Sequence, residues 1–479
     1  MHTYTIGSAV SLTKYRNYAN LTTDNDFERE NLMNFQEFKK ATQRFNVLKR
    51  SDVAGSYHFG TATVSLDSLE SRDLHETIPI RSVLAARGKL SGPQYEAIAK
   101  ILPLAAHEYT HFIDSTSTVW GMKFLSRMNA AYSCGDQYQH DETKFWNAKS
   151  FYDFLKGIAL PEYYTVKQRA QSTLPWSTTI TAGQLFDKNG RITDRTILFQ
   201  RFRNSKGEEL VRSPISSVSI LEASAMAQEV TLRMSLLAGA VDEYALIERA
   251  RTSRDLAAYL YNPDLTEYSV CVHLVANVLR TPDIGSAFVV CSMLTRVCLN
   301  LTDEVFDALA ADEDLMHRVN LPNEHDFSRR MLDGLRLRDM GTVFFLLTRC
   351  LPNYPELTQG ESETVAMGAI EALGIDISSI HADAITFAEC VGQELRGSEI
   401  EPIRCLYEAG LNNLREINPL SPRLNFSRLH LPLALLSDST EHFVLGDPQS
   451  PLAQRTIDSI YEPLIEGELW VERFSEGCF

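Results

Sequence analysis

No two of the chain's eight cysteines stand in CxxC spacing, and they scatter from Cys134 to Cys478. That argues against a structural zinc cluster or a disulfide framework. Several lie in apolar helical runs, where a free cysteine behaves as a small hydrophobe, so a reducing compartment is expected. Basic charge is also short: 46 Lys+Arg face 62 Asp+Glu, for a formal net charge of −16. A surface of that sign repels a polyanion, so nucleic acid is not an expected partner. Long hydrophobic runs are missing as well. No window reaches the roughly 18 consecutive apolar residues of a membrane span. The stretch Met1 to Gly7 lacks the basic and apolar parts of a signal peptide. A cytoplasmic protein without membrane contact is expected. The chain also lacks fixed-period repeats, low-complexity tracts, a phosphate-binding P-loop and a serine nucleophile elbow.

What is present is an ordinary globular composition, 44% hydrophobic and 23% charged over 479 residues. Such a chain can bury a large core without covalent staples. Its patterning predicts an α+β fold, predominantly helical. Residues 1–90 read as a mixed α/β segment, with a helix from Phe27 to Leu48 and a strand from Tyr57 to Leu66. Residues 91–240 read as a second region. Its helix over 91–114 follows Ser91-Gly92-Pro93 and is either kinked by Pro103 or restarted there. A long insert, 115–213, carries hairpin turns at Asp187–Gly190 and Asn204–Gly207. A further helix is expected from Ser213-Pro214 to about Leu237. Residues 241–479 read as helical, with Gly374 and Gly397 at C-terminal cap positions.

One motif carries chemistry. His107-Glu108-Tyr109-Thr110-His111 is H-E-x-x-H. Residues four apart on a helix share one face, so both imidazoles can reach a single Zn2+. Glu108 is offset by about 100°, which places its carboxylate beside the water that zinc activates. There it acts as general base during attack on a carbonyl. Chance would yield roughly 0.02 such matches in a chain of this length.

A catalytic zinc needs a third protein ligand and an open position. Here the sequence resembles the gluzincin-type metallopeptidases, in which a glutamate on a second, C-terminal helix completes the site. Leu221-Glu222-Ala223-Ser224-Ala225 is similar to that family's segment, and the resemblance implies Glu222 as the ligand. Glu229, seven residues on, lies on the same face and is the main rival; Glu243 is a weaker one. The resemblance covers about residues 91–237 and implies a zincin-like catalytic core with a small sheet. His111 and Glu222 are 111 residues apart, and position 226, where the family carries Asp, is Met226. A metzincin pattern does not fit, because positions 114 and 117 hold Asp114 and Ser117.

Asp114 shares the stripe of His107 and His111, so it is expected to accept the free N–H of a zinc-bound imidazole. Tyr244, Tyr268 and His273 lie on downstream helices and are candidates for stabilising an oxyanion. By analogy with the clan, the strand at Tyr57–Leu66 would bind substrate backbone along its edge. The expected function is zinc-dependent endopeptidase action on a protein or peptide, selective rather than degradative, with a regulatory protein as a further expected partner. The alternative is an inactive or regulatory binding module that keeps a zincin fold; the intact Glu108 argues against it.

Overall fold

The computed structural model describes residues 54–134, 142–187, 189–321 and 326–477. The helix expected from Phe27 to Leu48 lies outside them. The described chain is mostly helical with two four-stranded sheets. It begins with β1 (Ser56–His58), β2 (Thr63–Leu66), α1 (Ser71–Ala85), α2 (Gly92–Thr116), α3 (Val119–Tyr132) and α4 (Glu142–Ile158). The second sheet follows: β3 (Val166–Lys167), β4 (Ser177–Phe186), β5 (Ile192–Arg203) and β6 (Glu209–Ile215). Then come α5 (Ser217–Ala238), α6 (Asp242–Leu260), α7 (Thr266–Leu279), α8 (Ile284–Asn300), α9 (Asp303–Ala311), α10 (Leu315–Arg318) and α11 (Asp326–Arg336). The chain closes with α12 (Met340–Arg349), α13 (Gln359–Leu373), α14 (Ile380–Arg396), α15 (Glu401–Glu416), β7 (Ala434–Leu436), β8 (Glu441–His442) and α16 (Ile457–Gly477).

The expected strand from Tyr57 to Leu66 is a hairpin instead. β1 and β2 pair antiparallel, and the chain reverses between them through Ala62 at φ 54°. β2 then pairs parallel with β7, so the first sheet runs β1-β2-β7-β8 and joins residues more than 360 positions apart. That pairing could not be read locally, since the segment after 241 reads as helical and β7 is only three residues long. β1 is left at the edge of its sheet. The second sheet is an antiparallel meander, β4-β5-β6, with β3 added beside β6. Both expected hairpin turns are present in it, with Gly190 and Gly207 at positive φ.

The helix at 92–116 is continuous, with Pro103 inside it. Ser91 and Gln94 form a capping box at its start, where the Ser91 N–H donates to Gln94 Oε1 at 2.9 Å. α5 starts later than expected. Ser213 and Pro214 belong to β6, and Ser216 caps the helix. Of the predicted C-terminal caps, Gly374 adopts φ +92° and Gly397 closes α14. Among the described residues no single helix is long and apolar enough to cross a membrane.

α2 lies at the centre of this arrangement. Every residue from Ala105 to Thr116 is buried. Helices α5, α3 and α15 and the strands β1 and β2 all pack on it. At Gly410 of α15 a β-carbon would lie 2.1 Å from the Thr116 carbonyl oxygen, so only glycine lets the two backbones approach this closely. A helix buried on all sides is normally apolar. This one holds two histidines, a glutamate and an aspartate, and burying such groups is costly unless something compensates them.

Candidate metal centre

α2 and α5 bring the expected ligands together. One ligand atom each from His107, His111 and Glu222 lies within 4.8 Å of the others, and all three residues are buried. His107 Nε2 is 3.5 Å from Glu222 Oε2, and His111 Nε2 is 3.9 Å from Glu222 Oε1. Ligand atoms around a tetrahedral zinc are separated by about 3.4 Å, so the three side chains converge at nearly the spacing a zinc ion requires.

The two histidines differ in their surroundings. His107 Nδ1 is 3.1 Å from Glu229 Oε2. Burial opposes charge on His107, yet Glu222 and Glu229 together raise its pKa well above the usual histidine range. His111 has no such partner, and neither of its ring nitrogens makes a hydrogen bond although both are buried. Burial and the nearby His107 push its pKa well below the usual range. Both influences favour the neutral imidazole, the form that binds a metal. An orphaned buried nitrogen facing a carboxylate fits a metal ligand set better than it fits a packing role.

Glu229 therefore stands outside the ligand trio. It lies two turns along α5 from Glu222 and reaches the far nitrogen of His107. Burial would raise its carboxyl, but His107 and Arg233 bring it below the usual range. Asp114 does not do this work for His111. Burial pushes its carboxyl up to about 7, against the Arg296 guanidinium on α8 and the Ser224 hydroxyl on α5. Its Oδ2 is unbonded, as are both His111 nitrogens. Asp114 lies one turn past His111, and no hydrogen bond joins it to either ring nitrogen of His111.

Glu108 is 5% exposed and lies under the chain entering β1. A β-carbon on Gly55 would be 2.8 Å from Glu108 Oε1 and 3.0 Å from the Ser65 carbonyl oxygen. Beside it, the Tyr57 ring stacks on His111 with centroids 6.4 Å apart, and the Tyr57 hydroxyl bonds Ser115 Oγ at 2.7 Å.

The three expected oxyanion groups are placed differently. The Tyr244 hydroxyl donates to Glu96 Oε1 at 2.9 Å. That is eleven residues before His107 on α2, about 16 Å along the helix axis. His273 sits among Trp176, Phe202 and Tyr261, with Nε2 2.7 Å from the Leu260 carbonyl oxygen. Burial lowers its pKa to about 4. It is a packing residue. Tyr268 is buried beside Tyr259. Tyr259 is the tyrosine that sequence reasoning missed. It is half-buried in the last turn of α6, and burial, then the charges of Glu222 and Glu229, raise its phenol well above the usual range. Nothing in the local pattern of α6 distinguishes Tyr259 from its neighbours. Only the packing of α6 against α5 brings it to the carboxylates. No protein-family model, curated protein or solved structure matches this chain, so the reading of the centre rests on its own chemistry.

Proposed function

We propose that the protein is a zinc-dependent endopeptidase with a zincin-like catalytic core, of the gluzincin type that its sequence resembles. His107, His111 and Glu222 hold the metal, and Glu108 serves as general base. The observation that carries this reading is His111: fully buried, unbonded at both nitrogens, and 3.9 Å from the Glu222 carboxylate. When bound there, zinc supplies a Lewis acid that polarises a carbonyl and acidifies water.

The chain's own groups supply the rest. Glu108 takes a proton from the attacking water as a C–O bond forms at the substrate carbonyl. It delivers that proton to the leaving nitrogen as the C–N bond breaks. The Tyr259 phenol, kept protonated by burial and by two carboxylates, is positioned to donate a hydrogen bond where negative charge develops. Glu229 fixes the tautomer of His107 by accepting from Nδ1, which leaves Nε2 free for the metal. β1, at the edge of its sheet and packed beside α2, offers backbone groups with which an extended peptide can pair. A selective cytosolic protease acting on few proteins is the reading we adopt for its biological use.

The test is zinc per chain by elemental analysis, for wild type, His111→Ala and Glu222→Ala, followed by peptide-library digestion. One zinc in wild type, lost in both variants, together with cleavage, supports the reading. Wild type that takes up no zinc even on reconstitution would sink it and leave a binding module as the function.

A further inference from the structure

A cavity of about 480 Å3 includes none of the metal-centre residues in its lining. That volume falls within the roughly 300–1,000 Å3 of small-molecule sites. Its walls are partly apolar, with Trp120, Phe154, Phe306 and Met340. Its charged lining is the unusual part. Lys123, Arg127, Arg195 and Arg338 face Asp153, Asp303 and Asp339, one positive charge in excess in a chain whose net charge is −16.

The carboxylates are already committed. Asp303 Oδ1 pairs with Lys123 Nζ at 2.7 Å and with Arg338 Nε at 3.4 Å. Asp153 pairs with Lys149. Asp339 accepts from the Thr342 N–H at 2.7 Å and caps α12. Arg127 and Arg195 have no close partner, and each feels only the longer-range charge of one cavity carboxylate, Asp303 for Arg127 and Asp339 for Arg195. Neither guanidinium makes an ion pair or a hydrogen bond with a described residue. Arg127 lies over the Phe154 ring at 4.2 Å. Arg195 reaches α4 three residues further on, where a β-carbon on Gly157 would lie 3.6 Å from its Nη1. Positions three apart on a helix face are about 5–6 Å apart, so the two cations border one short stretch of α4. The neighbouring groove makes the contrast. There Arg330 pairs with Asp326 at 2.8 Å and Arg336 with Asp333 at 2.9 Å.

We propose that this cavity binds an organic phosphate, with Arg127 and Arg195 taking the phosphate oxygens and the apolar wall taking an aromatic body. Guanidinium groups match phosphate geometry with paired N–H donors. Neither guanidinium spends its N–H donors on a close carboxylate, so both can give them to an anion.

The test is fluorescence titration of the full chain with trinitrophenyl-ATP, without added metal. Saturable binding is expected, displaced by pyrophosphate but not by adenosine. Arg127→Gln and Arg195→Gln should each weaken it by at least about tenfold, as for loss of a hydrogen bond to a charged group. Arg330→Gln, whose guanidinium is already paired, should leave it unchanged. Both cavity arginines are exposed, so the variants are expected to fold, and unchanged melting temperatures would verify that. No saturable binding by wild type, displacement by adenosine alone, or equal affinity in both variants would overturn the proposal.

Discussion

The imidazole of His107 and the carboxylate of Glu229 meet across the α2–α5 interface, with Nδ1 and Oε2 3.1 Å apart. This contact divides the work of two glutamates that lie on one face of one helix. Glu222 faces the nitrogens that converge, and Glu229 faces the nitrogen that points away.

Glu229→Gln should therefore keep the metal but hold it less tightly, by about 10–100-fold, the usual cost of losing a carboxylate behind a metal-bound histidine. Zinc competition titration reads this. Full loss of zinc in Glu229→Gln with retention in Glu222→Ala would exchange the two roles.

Glu108→Gln would remove the proposed base and leave the proposed ligands His107, His111 and Glu222 in place. Zinc content should match wild type, while peptide cleavage falls by about 10^2–10^4-fold. Unchanged cleavage would show that another group takes the proton.

Tyr259→Phe deletes one hydroxyl beside Glu222 and Glu229. The expected outcome is a kcat lower by about 10^2–10^3-fold with KM and zinc content nearly unchanged. A fall in zinc content instead would make Tyr259 a support for Glu222.

Gly55→Ala places a methyl 2.8 Å from Glu108 Oε1 and 3.0 Å from a backbone oxygen that cannot move aside. The carboxylate must shift, so cleavage should fall sharply. Overpacking of this kind costs about 1–3 kcal/mol. Denaturant melts and cleavage rates on one preparation separate the two effects; full activity would show that Glu108 is mobile.

Glu468 of α16 is buried beside His58 of β1, with Oε1 3.6 Å from His58 Nε2, and Tyr132 of α3 and Glu472 and Tyr461 of its own helix face it too. Burial and Glu472 push its carboxyl up to about 8 from 4.5. The folded protein thus holds a proton that the unfolded chain releases near 4.5. Stability from this group is complete below that pH and is lost as pH rises through about 8. Melting temperature should fall between about pH 4.5 and pH 8 and level off above that, and Glu468→Gln should flatten the fall. An equally steep fall in the variant would assign it to other groups.

Much of this site was legible before the fold was known. Four-residue spacing on a helix puts His107 and His111 on one face whatever surrounds them, and Ser91 with Gln94 marks where that helix starts. The turns at Asp187–Gly190 and Asn204–Gly207 were legible for the same reason, since glycine at positive φ is a local requirement. Local pattern misled where pairing is distant. Tyr57–Leu66 has the composition of one strand, but its ladder partner is β7, more than 360 residues on, and the segment folds back on itself to meet it. Asp114 lies on the correct stripe, yet neither His111 nitrogen bonds to it, and its charged neighbour is Arg296, 182 positions away in the sequence.

The sequence by itself determined the two histidines, the glutamate between them and the helix that bears all three, because these depend on contacts within a few residues. Tertiary structure alone decided which of Glu222 and Glu229 faces the converging nitrogens, that Tyr259 comes within the field of both carboxylates while Tyr244 and His273 bond elsewhere, and that Arg127 and Arg195 line one cavity without a close ion-pair partner. Those outcomes follow from the rotation and offset of one helix against another, and side-chain packing across the whole core sets both.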